Sequence, residues 1–111
     1  MRKWMAGAAA ALMTGAAALA HSPLERTDPA DGAVLEAAPE VILIEFADPI
    51  RLVGVSLTGE GRQADLAVPG ASAARHEFAA PHLASGLYRV EWRGMAGDGH
   101  VMTGAFSFDI E

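Results

Sequence analysis

One stretch of the chain decides the fold, and it reads Leu83-Ala84-Ser85-Gly86-Leu87-Tyr88-Arg89-Val90-Glu91-Trp92-Arg93. From Tyr88 onwards, apolar and charged residues alternate, which is typical of a β-strand with one face on a core and the other in water. The turn before Tyr88 is similar to a tyrosine corner, in which the hydroxyl ties the start of a strand to the preceding turn of a Greek-key sandwich. The stretch therefore predicts one strand of an all-β sandwich.

The same alternation extends to other parts of the chain. Residues 41–46 form a short apolar run that ends at Asp48-Pro49, and residues 53–57 and 102–110 alternate with period two. Weaker strands are predicted over residues 23–27, 63–68 and 75–79. Turn residues recur about every 8–12 positions, and no segment after the first 20 residues has convincing helical periodicity. We therefore predict an all-β fold, a Greek-key, immunoglobulin-like β-sandwich or barrel of about seven strands.

The first 20 residues differ in composition from the rest of the chain. Arg2 and Lys3 precede an uncharged stretch of mainly Ala, Leu, Met and Gly, which ends at Ala18-Leu19-Ala20. This is the pattern of a secretory signal peptide that is cleaved after Ala20. The stretch is short and weakly hydrophobic for a membrane anchor, which needs about 20 apolar residues. We predict a cleaved signal peptide over residues 1–20 and one mature domain over residues 21–111.

The charge and the cysteine count exclude several classes of function. The whole chain carries a net charge of −6, and the mature part, with 6 basic and 14 acidic residues, carries −8. Such a domain is a poor partner for nucleic acid, which binds basic surfaces. The negative charge of the domain suits a cation as ligand. Because the chain has no cysteine, disulfides and thiolate metal sites are excluded.

Two histidines suggest a metal site. His100 belongs to the sequence Gly97-Asp98-Gly99-His100, just before a predicted strand. Residues two apart on an extended chain point to the same side, so Asp98 and His100 could share a ligand, although Asp-Gly is also a common turn dipeptide. Cleavage after Ala20 would make His21 the first residue, either a frayed chain end or a chelate of amine and imidazole. With His100 and Asp98, that chelate makes a set of three nitrogens and one oxygen, which suits tetragonal Cu(II).

Other candidate residues carry weaker signals. Asp48 could add a second carboxylate to the site, or it could serve only the turn before Pro49. His76 and His82 lie in polar, loop-like contexts, and we predict that both are surface residues without a metal role. The two methionines of the mature part are isolated and are predicted to fill space in the core or loops. Motifs for a nucleophile elbow, a phosphate loop or a zinc protease are absent from the sequence, so we predict no enzyme.

The mature chain resembles the CopC-type periplasmic copper-resistance proteins, also called the CopC/YobA-like domain, along nearly all of its length. The resemblance rests on these segments, in this order: His21-Ser22-Pro23-Leu24, Asp28-Pro29-Ala30-Asp31-Gly32-Ala33, Ala38-Pro39, residues 41–46, residues 83–93, Asp98-Gly99-His100 and Gly104-Ala105-Phe106-Ser107-Phe108. It implies a Greek-key sandwich in the periplasm and one Cu(II) per chain, held by His21, Asp98 and His100. It also implies a copper carrier or buffer whose partner is an inner-membrane copper importer of the CopD type.

The chain departs from the family pattern in two places. Some members have Glu where this chain has Asp48, and others carry a Met-rich loop that binds Cu(I). Residues 54–81 contain no Met, so we expect a Cu(II)-only protein and most simply a monomer. The alternatives are a histidine-brace copper oxygenase, for which the chain is short and lacks an evident aromatic platform, and a metal-free β-sandwich interaction module. Binding of Ni(II) or Zn(II) instead of copper is a narrower variant.

Overall fold

Seven β-strands form the fold in the computed structural model, which describes residues 23–111. They are β1 (Leu24–Asp28), β2 (Ala33–Leu35), β3 (Val41–Gly59), β4 (Arg62–Leu66), β5 (Ser72–Ala79), β6 (Gly86–Met95) and β7 (Val101–Ile110). The all-β prediction and the number of strands are confirmed. The predicted signal peptide and the predicted ligand His21 lie outside the described residues. Residues 23–111 include no helix long and apolar enough to cross a membrane.

Strand β3 is shared by the two layers of the fold. Its first part pairs antiparallel with β1 on one side and β5 on the other, and its second part pairs with β6 and β4. Strand β7 follows β6 antiparallel along its whole length, and β2 adds in parallel beside the end of β7. Because one long strand contributes to both layers, the sheet curls on itself into a sandwich with barrel-like character.

The prediction that a strand ends at Asp48-Pro49 is wrong, because β3 continues through these residues. Its pairing with β5 instead shifts register: Glu45 lies opposite Arg75, but Ile50 lies opposite Ala73. Residues 46–49 of β3 thus face a single residue of β5, and we call this segment the β3 bulge. A bulge accommodates proline within a sheet, since proline has no N–H to donate to the ladder.

The remaining strands follow the predicted alternation closely. The three weaker strands are confirmed within three residues at each end, as β1, β4 and β5. Most of the core comes from apolar positions of β3, β6 and β7, among them Tyr88, Trp92 and Phe106, and Phe78 and Leu83 complete it. The Tyr88 hydroxyl donates a hydrogen bond of 2.7 Å to the Ala84 carbonyl oxygen, which confirms the tyrosine corner. Strand β2 was not predicted, because three residues are too few to show a period.

Candidate metal-binding hairpin

Strands β6 and β7 are joined by a short hairpin loop that contains the Asp-Gly-His sequence. The last pair of the ladder is Met95 with Val101, and the loop runs from Ala96 to His100. The Ala96 N–H donates to the His100 carbonyl at 2.9 Å, and the Gly99 N–H donates to the Ala96 carbonyl at 2.9 Å. Gly99 has a φ of +89°, a conformation that side chains disfavour and glycine allows. The loop is therefore held in a defined shape by its own backbone.

Within this loop, the carboxylate of Asp98 accepts two hydrogen bonds from His100. Its carboxylate accepts the backbone N–H of His100 at Oδ1 (3.0 Å) and the ring Nδ1–H at Oδ2 (2.7 Å). Since a carboxylate can only accept, the ring carries its proton on Nδ1, and Nε2 keeps a free lone pair. Both side chains are exposed, 82% for His100 and 62% for Asp98. The hairpin therefore presents an oriented imidazole nitrogen to solvent, an arrangement that metal sites use to fix a histidine ligand.

The two residues do come together, but through a turn and not through a strand. The sequence left open whether Asp98 and His100 point to the same side of an extended chain or belong to a turn. In the structure both precede β7, and the contact arises because the loop folds the carboxylate back onto the residue two positions later. This is the local bonding for which Asp is favoured in turns.

The contact with His100 lowers the pKa of Asp98 below its ordinary value of 3.8. The largest cause is the hydrogen bond from the His100 backbone N–H, followed by the bond from its ring. A carboxyl group with a lowered pKa keeps its bonds above its ordinary pKa and loses them only as the pH falls through the lowered value. Asp98 therefore remains charged and bonded throughout the mildly acidic range.

We expect the carboxyl carbon of Asp98 to titrate below pH 3.8 in the metal-free protein, as measured by ¹³C NMR. In the variant His100→Ala the ring bond is lost while the backbone N–H remains, so the midpoint should rise part of the way towards 3.8. The spectrum of Asp98→Asn assigns the resonance. A midpoint at or above 3.8 in the unsubstituted protein would contradict the two hydrogen bonds between His100 and the Asp98 carboxylate.

Asp48 is not brought into this pair. It is exposed in the β3 bulge, and within residues 23–111 no three His, Asp or Glu side chains are grouped so that they could hold a metal ion. The described part of the chain thus supplies two adjacent donors, Asp98 and His100. A complete site needs donors from elsewhere.

The prediction that His76 lies at the surface is wrong, whereas His82 is exposed as predicted. His76 is only 2% exposed, and its Nε2 lies 2.9 Å from the carbonyl oxygens of both Ile50 and Ala73. His76 lies within β5, where it alternates with Phe78 on the core side. The spacing of two between His76 and the apolar Phe78 was the signal that could have indicated burial.

The start of the described chain, the β3 bulge and the hairpin lie at the same end of the sandwich. The Ala47 N–H, in the bulge, donates a hydrogen bond of 2.8 Å to the Pro23 carbonyl. Just after the bulge, Arg51 pairs with Met95, the last residue before the hairpin. The fold thus brings the first described residues to the end that carries Asp98 and His100.

A surface cleft of about 810 Å³ lies away from these residues. It spans β3, β4, β6 and β7, and its charged residues include Arg89, Glu91 and Arg93, of which Arg89 and Glu91 form an ion pair. None of the residues Asp48, Asp98 and His100 lines it.

The six aromatic side chains within residues 23–111 are all buried, so this part of the chain has no aromatic platform at its surface.

Comparisons with known proteins agree on one family. Residues 24–111 match the CopC domain. Copper resistance protein C from Escherichia coli is 33% identical over 109 residues, which cover 85% of this chain and 84% of that protein. The fold is similar to the crystal structure of CopC from Methylosinus trichosporium OB3b, with a TM-score of 0.70, 23% identity and coverage of 82% of this chain and 94% of that one. It is also similar to PcoC, a methionine-rich copper resistance protein from Escherichia coli, with a TM-score of 0.61, 26% identity and coverage of 82% and 99%.

Proposed function

The chain belongs to the CopC family, and from this premise we propose that it binds copper and acts as a carrier or buffer in copper resistance. The observation that carries the proposal is the exposed hairpin, in which Asp98 orients the ring of His100 and leaves Nε2 free. A carrier must bind its cargo where a partner can reach it. A site on an exposed loop of a rigid sandwich meets that need.

The copper ion is Cu(II), one per chain, held by the amine and imidazole of His21, the imidazole of His100 and the carboxylate of Asp98, which gives up its bond to the His100 ring and turns to the metal when copper binds. Pro23, two residues after His21, is hydrogen-bonded to the β3 bulge at the end that carries the hairpin. Two extended residues reach at most about 7 Å, so the chain start is tethered to that end. Three nitrogens and one oxygen form the tetragonal set that Cu(II) prefers. Asp48, on the same bulge, is the candidate for a further oxygen ligand.

This site depends on export of the chain. Cleavage after Ala20 frees the amine of His21, so copper binding begins only once the signal peptide has been removed in the periplasm. The protein then works as a monomer that exchanges copper with an inner-membrane importer of the CopD type. Because residues 54–81 contain no Met, it lacks a Cu(I) site of the Met-rich kind.

The chain is a binding protein and not an enzyme. A copper oxygenase that acts on polysaccharides needs aromatic rings at its surface to hold the substrate. Within residues 23–111 every aromatic ring is buried, with Trp92 packed edge-on against Phe46 in the core. This observation supports a carrier over an oxygenase.

We expect the protein that begins at His21 to take up one equivalent of Cu(II) and to give an EPR spectrum of tetragonal, nitrogen-rich copper. Cu(II) should displace Zn(II) and Ni(II) in competition, following the affinity order of divalent ions. The variant His100→Ala is the matched control and should bind more weakly, with one nitrogen fewer in the spectrum. Copper uptake near background by correctly processed protein would instead identify a metal-free interaction module.

A further inference from the structure

His76 is a buried polar side chain that the proposed copper site does not use. Its Nε2 lies 2.9 Å from the Ile50 carbonyl oxygen and 2.9 Å from the Ala73 carbonyl oxygen. Carbonyl oxygens only accept hydrogen bonds, so Nε2 carries the proton and donates to both. The contact with Ile50 is buried and the contact with Ala73 is partly buried. Removing a hydrogen-bond donor from a carbonyl that water does not reach costs free energy, and here one N–H serves two carbonyls.

These contacts hold the β3 bulge at both of its ends. Ile50 is the residue at which pairing with β5 resumes after the bulge, and its carbonyl receives the His76 bond. At the other end, the His76 ring packs edge-on against Phe46, the first residue of the bulge, with centroids 6.0 Å apart and planes at 80°. The imidazole therefore bridges the first residue of the bulge and the residue that follows it.

The β3 bulge in turn holds the start of the chain. Phe46 pairs with Leu24, and the Ala47 N–H donates to the Pro23 carbonyl at 2.8 Å. The next residues before Pro23 are Ser22 and His21. A change in the shape of the bulge would therefore move the anchor on which the position of His21 depends.

We propose that His76 is a positioning residue for the copper site: its buried imidazole fixes the β3 bulge, and the bulge anchors the mature N-terminus. This inference rests on the proposed function, because it assigns His76 a part in copper binding through His21. Loss of a group that bonds directly to a metal ligand lowers metal affinity by about 10–100-fold. His76 acts one step further out, through the bulge, so we expect an effect at the lower end of that range.

The test compares two substitutions in the chain that begins at His21. In His76→Gln the side-chain amide has two N–H donors for the same two carbonyls, whereas in His76→Val a residue suited to a strand offers none. Val90→Ala is the control for a general loss of stability, since Val90 is buried in β6 and lies away from the bulge. Should His76→Val not fold, His76→Asn replaces it, because its shorter amide does not reach both carbonyls.

Three measurements are made on each variant: Cu(II) affinity by chelator competition, the EPR spectrum, and hydrogen exchange of the Ala47 amide without metal. We expect His76→Val to bind Cu(II) at least about tenfold more weakly, with a changed spectrum and faster Ala47 exchange, and His76→Gln to restore all three. Val90→Ala should keep the affinity and the spectrum. The proposal is overturned if His76→Val matches Val90→Ala in affinity and spectrum, or if His76→Gln fails as badly as His76→Val.

The two proposals fail separately. If the unsubstituted protein takes up no copper at its N-terminus, the proposed function fails, and the Ala47 exchange still decides whether His76 holds the bulge. If the unsubstituted protein binds one Cu(II) and His76→Val binds it equally well, only the role of His76 is lost.

Discussion

A chain with one glycine added before His21 is expected to bind Cu(II) at least about 100-fold more weakly than a chain that begins at His21. This corresponds to a loss of about 2.8 kcal/mol in binding free energy. The physical reason lies in the chelate. In the shorter chain the amine and the imidazole belong to one residue and close a single ring around the metal. The extra residue places a peptide group between the amine and the imidazole, so the two can bind the metal together only in a different chelate, which requires that the peptide nitrogen lose its proton.

The control for this experiment carries the extra glycine after Glu111, at the other end of the chain, and should bind like the unsubstituted protein. Affinity is measured by chelator competition, and EPR shows whether the nitrogen set has changed. Binding depends on deprotonated nitrogens, so it should weaken as the pH falls and protons compete with the metal for them. Equal affinity and equal spectra for the two glycine variants would overturn the N-terminal site.

The substitution Gly104→Ala is expected to lower the free energy of unfolding by about 1–3 kcal/mol, the usual cost of forcing extra atoms into a packed core. A Cβ at Gly104 would come within 2.5 Å of a ring carbon of Trp92 and 2.7 Å of its Nε1. The ring has little freedom to withdraw, because Trp92 is buried and packs edge-on against Phe46 at 5.0 Å. The strain falls on the core beside the proposed metal-binding end.

Gly54→Ala is the matched control, because a Cβ at Gly54 would meet no atom within 4 Å. The same chemical change there removes glycine's freedom in the unfolded chain and should be neutral or stabilise by about 0.4–1 kcal/mol. Urea denaturation followed by the fluorescence of Trp92, the one tryptophan after residue 20, measures both. A Gly104→Ala variant as stable as Gly54→Ala would mean that the Trp92 ring is free to shift.

Local pattern was enough for most of the strands. Alternation along residues 88–93 and 102–110 predicted β6 and β7, because the pleat sends successive side chains to opposite faces wherever the strand is placed. The tyrosine corner was equally readable, since Tyr88 and its partner Ala84 are only four residues apart.

Part of the candidate site could also be predicted from the local sequence. Asp98 and His100 are two residues apart, so the sequence indicated that they could point at one ligand, on an extended chain or in a turn. The structure has a turn, because the loop bonds that fold Asp98 onto His100 depend on where β6 ends and β7 begins. That the two residues share a ligand stays a prediction. The role of His21 stays a prediction, because His21 lies outside the described residues.

Other features were settled only by contacts between segments far apart in the chain. β3 runs through Asp48-Pro49 because β1 and β5 flank it, and His76 is buried because it bonds to Ile50, 26 residues away. The hydrogen bond between Ala47 and Pro23, which ties the first described residue to the end of the sandwich that carries Asp98 and His100, is of the same kind. The residues next to a side chain in the sequence predict which face of the sheet it points to. Which distant backbone groups it contacts depends on how the strands pair and where their register shifts.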